Sequence, residues 1–80
     1  MELYQEVALT CDIPEKGLRA GDVAVLVDRV AHPTGGEEGA ILELFNALGE
    51  SIAVITVPVS AIEPLRADQI PAVRVLSHVA

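Results

Sequence analysis

The chain has 80 residues, 51% of them hydrophobic, with a single tyrosine, a single phenylalanine and a formal net charge of -7. A domain of this length buries only about 60% of the surface that its unfolded chain exposes, so its core is small. The negative charge repels phosphate backbones, and the scarcity of aromatic rings argues against both RNA-stacking platforms and proline-binding grooves.

Small domains are commonly stabilised by disulfides, metals or oligomerisation. Cys11 is the one cysteine, which excludes a disulfide within the chain, and neither His32 nor His78 stands at zinc-finger spacing from it. No apolar run approaches the roughly 18 residues of a membrane span, and the N-terminal residues lack the pattern of a signal peptide. We therefore expect a cytoplasmic protein without metal or cofactor that is stabilised by a partner protein.

The first half of the chain predicts two strands separated by turns. Residues 6–10 alternate between polar and apolar side chains as a half-buried strand does, and residues 12–17 contain the proline and glycine of a turn. A second turn at 18–22 leads into residues 23–30, whose valines predict a longer strand. The histidine, proline and glycines of residues 32–36 end that strand.

Residues 37–48 can be read either as a helix or as a strand. In the helical interpretation Thr34 and Glu37 form a capping box, and apolar residues follow at helical spacing. In the β interpretation residues 40–45 and 51–57 are the two strands of a hairpin. The returning strand is predicted in both cases, whereas periodicity alone does not decide the first. A helix here would make the fold α+β.

The last third predicts a helical turn and two further strands. Residues 60–65 are typical of one tight helical turn that leads into a short strand. After a polar connection at 66–71, the valines of residues 73–79 favour an extra C-terminal strand. Because nothing resembles a linker or a repeat, we expect a single domain over residues 1–80.

Four short motifs belong to one pattern that covers residues 4–66. They are Val-Ala-Leu-Thr at 7–10, Asp-Ile-Pro-Glu-Lys-Gly-Leu at 12–18, Gly-Asp-Val-Ala-Val-Leu-Val at 21–27 and Ile-Thr-Val-Pro at 55–58. In this order they resemble small bacterial proteins grouped as domain of unknown function family 4926. The resemblance implies an SH3-like barrel of about five strands with a β-hairpin in its middle, followed by an extension at 67–80. It brings no activity or catalytic residue.

Three side chains are the candidates for nucleophilic catalysis. Cys11, His32 and His78 would each need a base or an orienting group beside it, and the pattern supplies none. All three are more simply explained as surface or space-filling residues. We therefore expect a protein that is not an enzyme.

The acidic residues of the loops suggest no binding site either. Glu37 and Glu38 are adjacent in a glycine-rich loop, where we expect both carboxylates to be solvated. Asp12, Glu15 and Asp22 occupy the two early turns at spacings that match no calcium loop. Hydrogen bonds from nearby backbone amides to the aspartates explain these residues better.

The hairpin reading places apolar residues on both of its faces, and a small barrel can bury only one. The second face then requires a homodimer or an accessory or immunity-type interaction with another bacterial protein, and the net negative charge favours a basic target. The residues predicted for this interface are Tyr4, Leu42, Leu44, Val73 and Val75.

Two alternatives to a protein interface remain at this point. The extension, residues 73–79, could fold back and cover the second face within the monomer. The Gly-Asp-Val stretch at 21–23 also resembles the KOW motif of nucleic-acid-binding barrels, although the acidic charge opposes that function.

Overall fold

The computed structural model describes residues 1–76, which form five antiparallel strands in one curled sheet. The order across the sheet is β4-β3-β2-β1-β5. The described residues contain no α-helix, and the arrangement confirms the predicted small all-β, barrel-like fold. The strands are β1 (Glu6–Leu9), β2 (Val23–Val30), β3 (Gly39–Phe45), β4 (Ser51–Pro58) and β5 (Ile62–Pro64), with 3-10 helices at Pro14–Lys16 and Val59–Ala61.

The ambiguous segment is a strand, because β3 is paired along its length with β2 on one side and β4 on the other. A helix would have buried Phe45 and Leu48 together, but their side chains are 41% and 85% exposed. The hairpin loop is closed by Asn46, whose side-chain oxygen accepts hydrogen bonds from the amides of Leu48 and Glu50, both at 3.0 Å. Gly49 supplies the left-handed backbone of this loop at φ +82°.

The core lies on the concave face of the sheet. Leu26 on β2 and Leu42 on β3 are directly paired, and neither side chain has any exposed surface. Burial of each such leucine stabilises the fold by about 1.5–3 kcal/mol. The pairing slips by one residue after Leu26, which is a β-bulge and bends β2 around the core. The remaining members of the core cluster are Val7, Leu9, Leu18, Ala24, Ala40, Leu44, Ile55, Val57, Ala61 and Ile62.

The predicted C-terminal strand is wrong over residues 73–76, which belong to no strand. Residues 77–79 of that prediction lie outside the described part. Val73 and Val75 are 94% and 90% exposed, and no sheet edge lies against them to supply the hydrogen-bond partners of a strand. Neither 3-10 helix within residues 1–76 has the length or apolar character of a membrane span.

Candidate functional site

The two early turns are held by aspartate side chains, as the sequence predicts. Asp12 accepts a hydrogen bond from the backbone N–H of Ala20 at 2.9 Å. Asp22 accepts one from the N–H of Arg19, also at 2.9 Å. These bonds satisfy amides that lie outside the sheet and fix the loop that leads into β2.

Asp22 also binds Arg74, an ion pair between residues far apart in the sequence. The Arg74 guanidinium donates from Nε to Asp22 Oδ1 at 2.9 Å and from Nη2 to Oδ2 at 2.5 Å. The same Nη2 donates to the carbonyl of Gly17 at 3.1 Å. The hydrogen bonds from Arg74 hold the pKa of Asp22 below its ordinary value of 3.8, against the partial burial that raises it. This contact fastens the C-terminal segment to the barrel.

The glycine-rich loop is fastened as well, through Glu37, which is exposed as predicted but is also hydrogen-bonded to Ser60. Its carboxylate accepts hydrogen bonds from the backbone N–H of Ser60 at 2.6 Å and from the Ser60 hydroxyl at 2.9 Å. The carbonyl of Glu38 accepts one from the N–H of Val59 at 3.0 Å. Glu37 thus caps an amide of the second 3-10 helix and links the β2–β3 loop to the end of β4.

The candidate catalytic side chains lie apart from one another. Cys11 is an exposed thiol. The Nδ1 atom of His32 lies 3.2 Å from the amide and 3.1 Å from the hydroxyl of Thr34, within its own turn. His78 lies outside the described residues. Within residues 1–76 no cluster of His, Cys, Asp or Glu is arranged to hold a metal ion.

The convex side of β2, β3 and β4 carries a cluster of uncovered apolar side chains, which we call the outer patch. Val54, Ile52 and Phe45 are 63%, 43% and 41% exposed. Val25 on β2 and Ile41 on β3 are half-buried on the same convex side. The outer patch consists of Val25, Ile41, Phe45, Ile52 and Val54.

Carboxylates lie within and beside the outer patch. In the sheet register Val25 lies between Glu6 on β1 and Glu43 on β3, and Glu43 in turn pairs with Val54. Glu43 is held by the Ser51 hydroxyl, which donates to it at 2.6 Å. No lysine or arginine pairs directly with an outer-patch residue in the described sheet. Glu43 thus lies among the outer-patch residues, between Ile41 and Phe45 along β3, so the patch is an apolar surface with one carboxylate within it and others beside it.

The predicted interface residues fall into two groups. Leu42 and Leu44 are 0% and 3% exposed, so their assignment to an interface is corrected: they lie on the concave face of β3 and form the core. Tyr4 is 75% exposed, and Val73 and Val75 are more exposed still. The surface residues of the hairpin are the alternate set, which the sequence did not distinguish because both sets are apolar.

A groove of about 440 Å³ lies between the convex side of β1 and the segment 65–71. Its apolar floor includes Ala8, and its rim includes Glu63 and Arg66. Arg66 Nη1 lies 3.5 Å from a carboxylate oxygen of Glu63, and its Nε lies 3.1 Å from Asp68. The charge of Arg66 is thus balanced by its neighbours, and the groove presents no converging set of free polar groups among the described residues.

Comparison of the chain with known protein families, curated proteins and solved structures finds no match. The family resemblance therefore stays a prediction that rests on the four motifs.

Proposed function

We propose that this protein is a non-enzymatic binding module whose outer patch contacts an apolar, basic segment of another polypeptide. The observation that carries the proposal is the exposure of Ile52, Val54 and Phe45 close together on the convex side of the sheet. Contiguous apolar residues on a small domain typically mark a protein interaction site. A cytoplasmic location and membership of domain of unknown function family 4926 belong to the same proposal, on the sequence features given above.

The charge around the outer patch supports a basic target. Glu6 and Glu43 flank Val25, and Asp28 pairs with Ile41. Four of the five cations of the chain are placed elsewhere, in the early turns or in the C-terminal segment. A lysine- or arginine-bearing partner would find complementary charge beside its apolar contacts, which speeds association and sets specificity.

NMR titration with two synthetic peptides tests the proposal. One alternates lysine with valine, and the other alternates glutamate with valine. We expect the basic peptide to shift the amide resonances of β3 and β4, and the acidic peptide to leave them unchanged. Because Phe45 and Val54 are exposed, the double variant F45S/V54S keeps the fold and loses at least tenfold in affinity, about 1.4 kcal/mol.

The matched control is V73S/V75S, which removes two exposed valines outside the outer patch. This variant is expected to bind the basic peptide as the original chain does. Equal binding of both peptides, or equal loss in both variants, would show that the outer patch is not the site.

A further inference from the structure

Strand β4 forms an open edge of the sheet, and its peptide groups alternate in direction. The N–H of Val59 donates to the carbonyl of Glu38 at 3.0 Å, beside the register pair Gly39–Pro58. In an antiparallel ladder, pairs that exchange hydrogen bonds alternate with pairs that do not. Because Val59 bonds to Glu38, the pairs that Ile55 and Val57 form with β3 are hydrogen-bonded ones. The N–H and C=O groups of Val54 and Thr56 therefore point away from β3.

No backbone hydrogen bond from elsewhere in residues 1–76 reaches Val54 or Thr56 on that side. Natural edge strands are usually protected by charged side chains, prolines, bulges or a covering loop. Here the edge has Pro58 at one end and a shift of register beside Phe45 at the other. Between them lies a stretch of edge whose donors and acceptors no other part of residues 1–76 pairs with or covers.

This edge is also the least charged part of the sequence. Residues 51–62 contain no charged side chain, which makes them the longest such run in the chain. The chain as a whole carries a charge of -7, so two copies repel one another over most of their surfaces. A second copy can approach without placing like charges face to face along β4.

We propose that two copies of this protein pair through β4, antiparallel and about a two-fold axis at Ile55. Val54 of each copy then lies opposite Thr56 of the other, and each pair exchanges both of its hydrogen bonds, about four in all. The contact is self-complementary, as a two-fold dimer requires, and joins the two sheets into one. It goes beyond the proposed function, because it concerns the backbone edge and a second copy of the chain.

The side chains at the edge agree with this arrangement. Ile52, Val54 and Thr56 are exposed, uncharged and all β-branched, and pairs of such residues across neighbouring strands stabilise a sheet by roughly 0.2–1 kcal/mol each. Pro58 has no N–H to donate, so the paired region is short. We therefore expect a dimer that dissociates on dilution rather than a permanent one.

Sedimentation over a concentration series, with V54P and V54T, tests the dimer. Proline at 54 removes an N–H that β3 does not use, so the hairpin is kept while the edge loses a donor. Threonine keeps the N–H and the branched shape. We expect the original chain and V54T to dimerise with rising concentration, and more strongly at high salt, because salt screens the repulsion between acidic surfaces. V54P stays monomeric.

Amide hydrogen exchange of the original chain provides a test that needs no variant. Exchange at Val54 and Thr56 slows as concentration rises, whereas Ile55 and Val57 are protected at every concentration. A chain that stays monomeric throughout, a dimer in V54P with folded circular dichroism, or fast exchange at Val54 and Thr56 in the dimer would each overturn the proposal. Peptide binding is measured separately on T56P, which removes the other edge N–H that β3 does not use and lies outside the outer patch, so this result is distinguishable from the proposed function.

Discussion

The convex side of the sheet differs between its two ends. Ala8 on β1 faces outward but is only 6% exposed, because β5 and the segment 65–71 lie beside and over it. Val54 on β4 faces the same way and is 63% exposed. Both strands carry apolar residues on both faces, yet within residues 1–76 the chain covers only the β1 end. The composition of the strands thus shows that their convex faces need a covering segment. The order of the elements along the chain decides which of those faces receives one.

The tail beyond the covered end is held by one polar contact rather than by packing of its valines. Arg74 binds Asp22 and the carbonyl of Gly17, while Val73 and Val75 on either side of it remain exposed. The alternative that residues 73–79 fold back over the second face of the hairpin is therefore wrong for its described part, residues 73–76. Residues 65–71 wall the groove over β1, Val73 and Val75 stay exposed, and nothing within residues 1–76 covers the outer patch.

The largest expected effect is a loss of stability that differs between substitutions on the concave face and on the convex face of the sheet. Leu42→Ala leaves a cavity in the core and is expected to lower the free energy of unfolding by about 2–5 kcal/mol. Val54→Ala removes exposed methyl groups and is expected to change it by less than about 0.5 kcal/mol in the monomer. Urea denaturation at low protein concentration measures both. Similar losses in the two variants would mean that the convex face is covered in solution.

The strands were predictable where local sequence is consistent. The run of valines at 23–30 lies between turn residues, and the structure has a strand with the same bounds. The segment 37–48 was ambiguous, because short apolar runs fit both a helix and a strand. Only pairing with β2 and β4 decides it, and that information lies in distant parts of the chain.

The site was less predictable than the fold, for two physical reasons. Residues 41–45 carry apolar side chains on both faces, so their alternation separates two sets of residues without showing which set faces the core. Leu42 and Leu44 were therefore assigned to the wrong side. The contact between Asp22 and Arg74 joins residues 52 positions apart, which no local pattern reveals. The prediction of a C-terminal strand is wrong for a related reason, since residues of high β-propensity form a strand only where a neighbouring strand pairs with them.

A smaller effect is expected from releasing the tail. Arg74→Gln removes the charged, bidentate contact with Asp22, so residues 70–76 are expected to become mobile while the five strands stay intact. A fall in the heteronuclear NOE of those residues measures this. Arg66→Gln is the matched control, because Arg66 forms only exposed pairs with Glu63 and Asp68. Equal mobility in both variants would show that Arg74 does not anchor the tail.

The smallest effect is a pH dependence confined to the same end of the molecule. Because the pKa of Asp22 is lowered in the folded chain, its contribution to stability is fully present above the ordinary value of 3.8. That contribution is lost as the pH falls through the lowered pKa, when protonation removes the charge that Arg74 binds. We expect the tail to loosen below pH 3.8, measured by the same NOE, while the β3–β4 hairpin keeps its values. Asp22→Asn should have a loose tail at neutral pH and no further change on acidification, and an acid response that persists in this variant would assign the effect to another carboxylate.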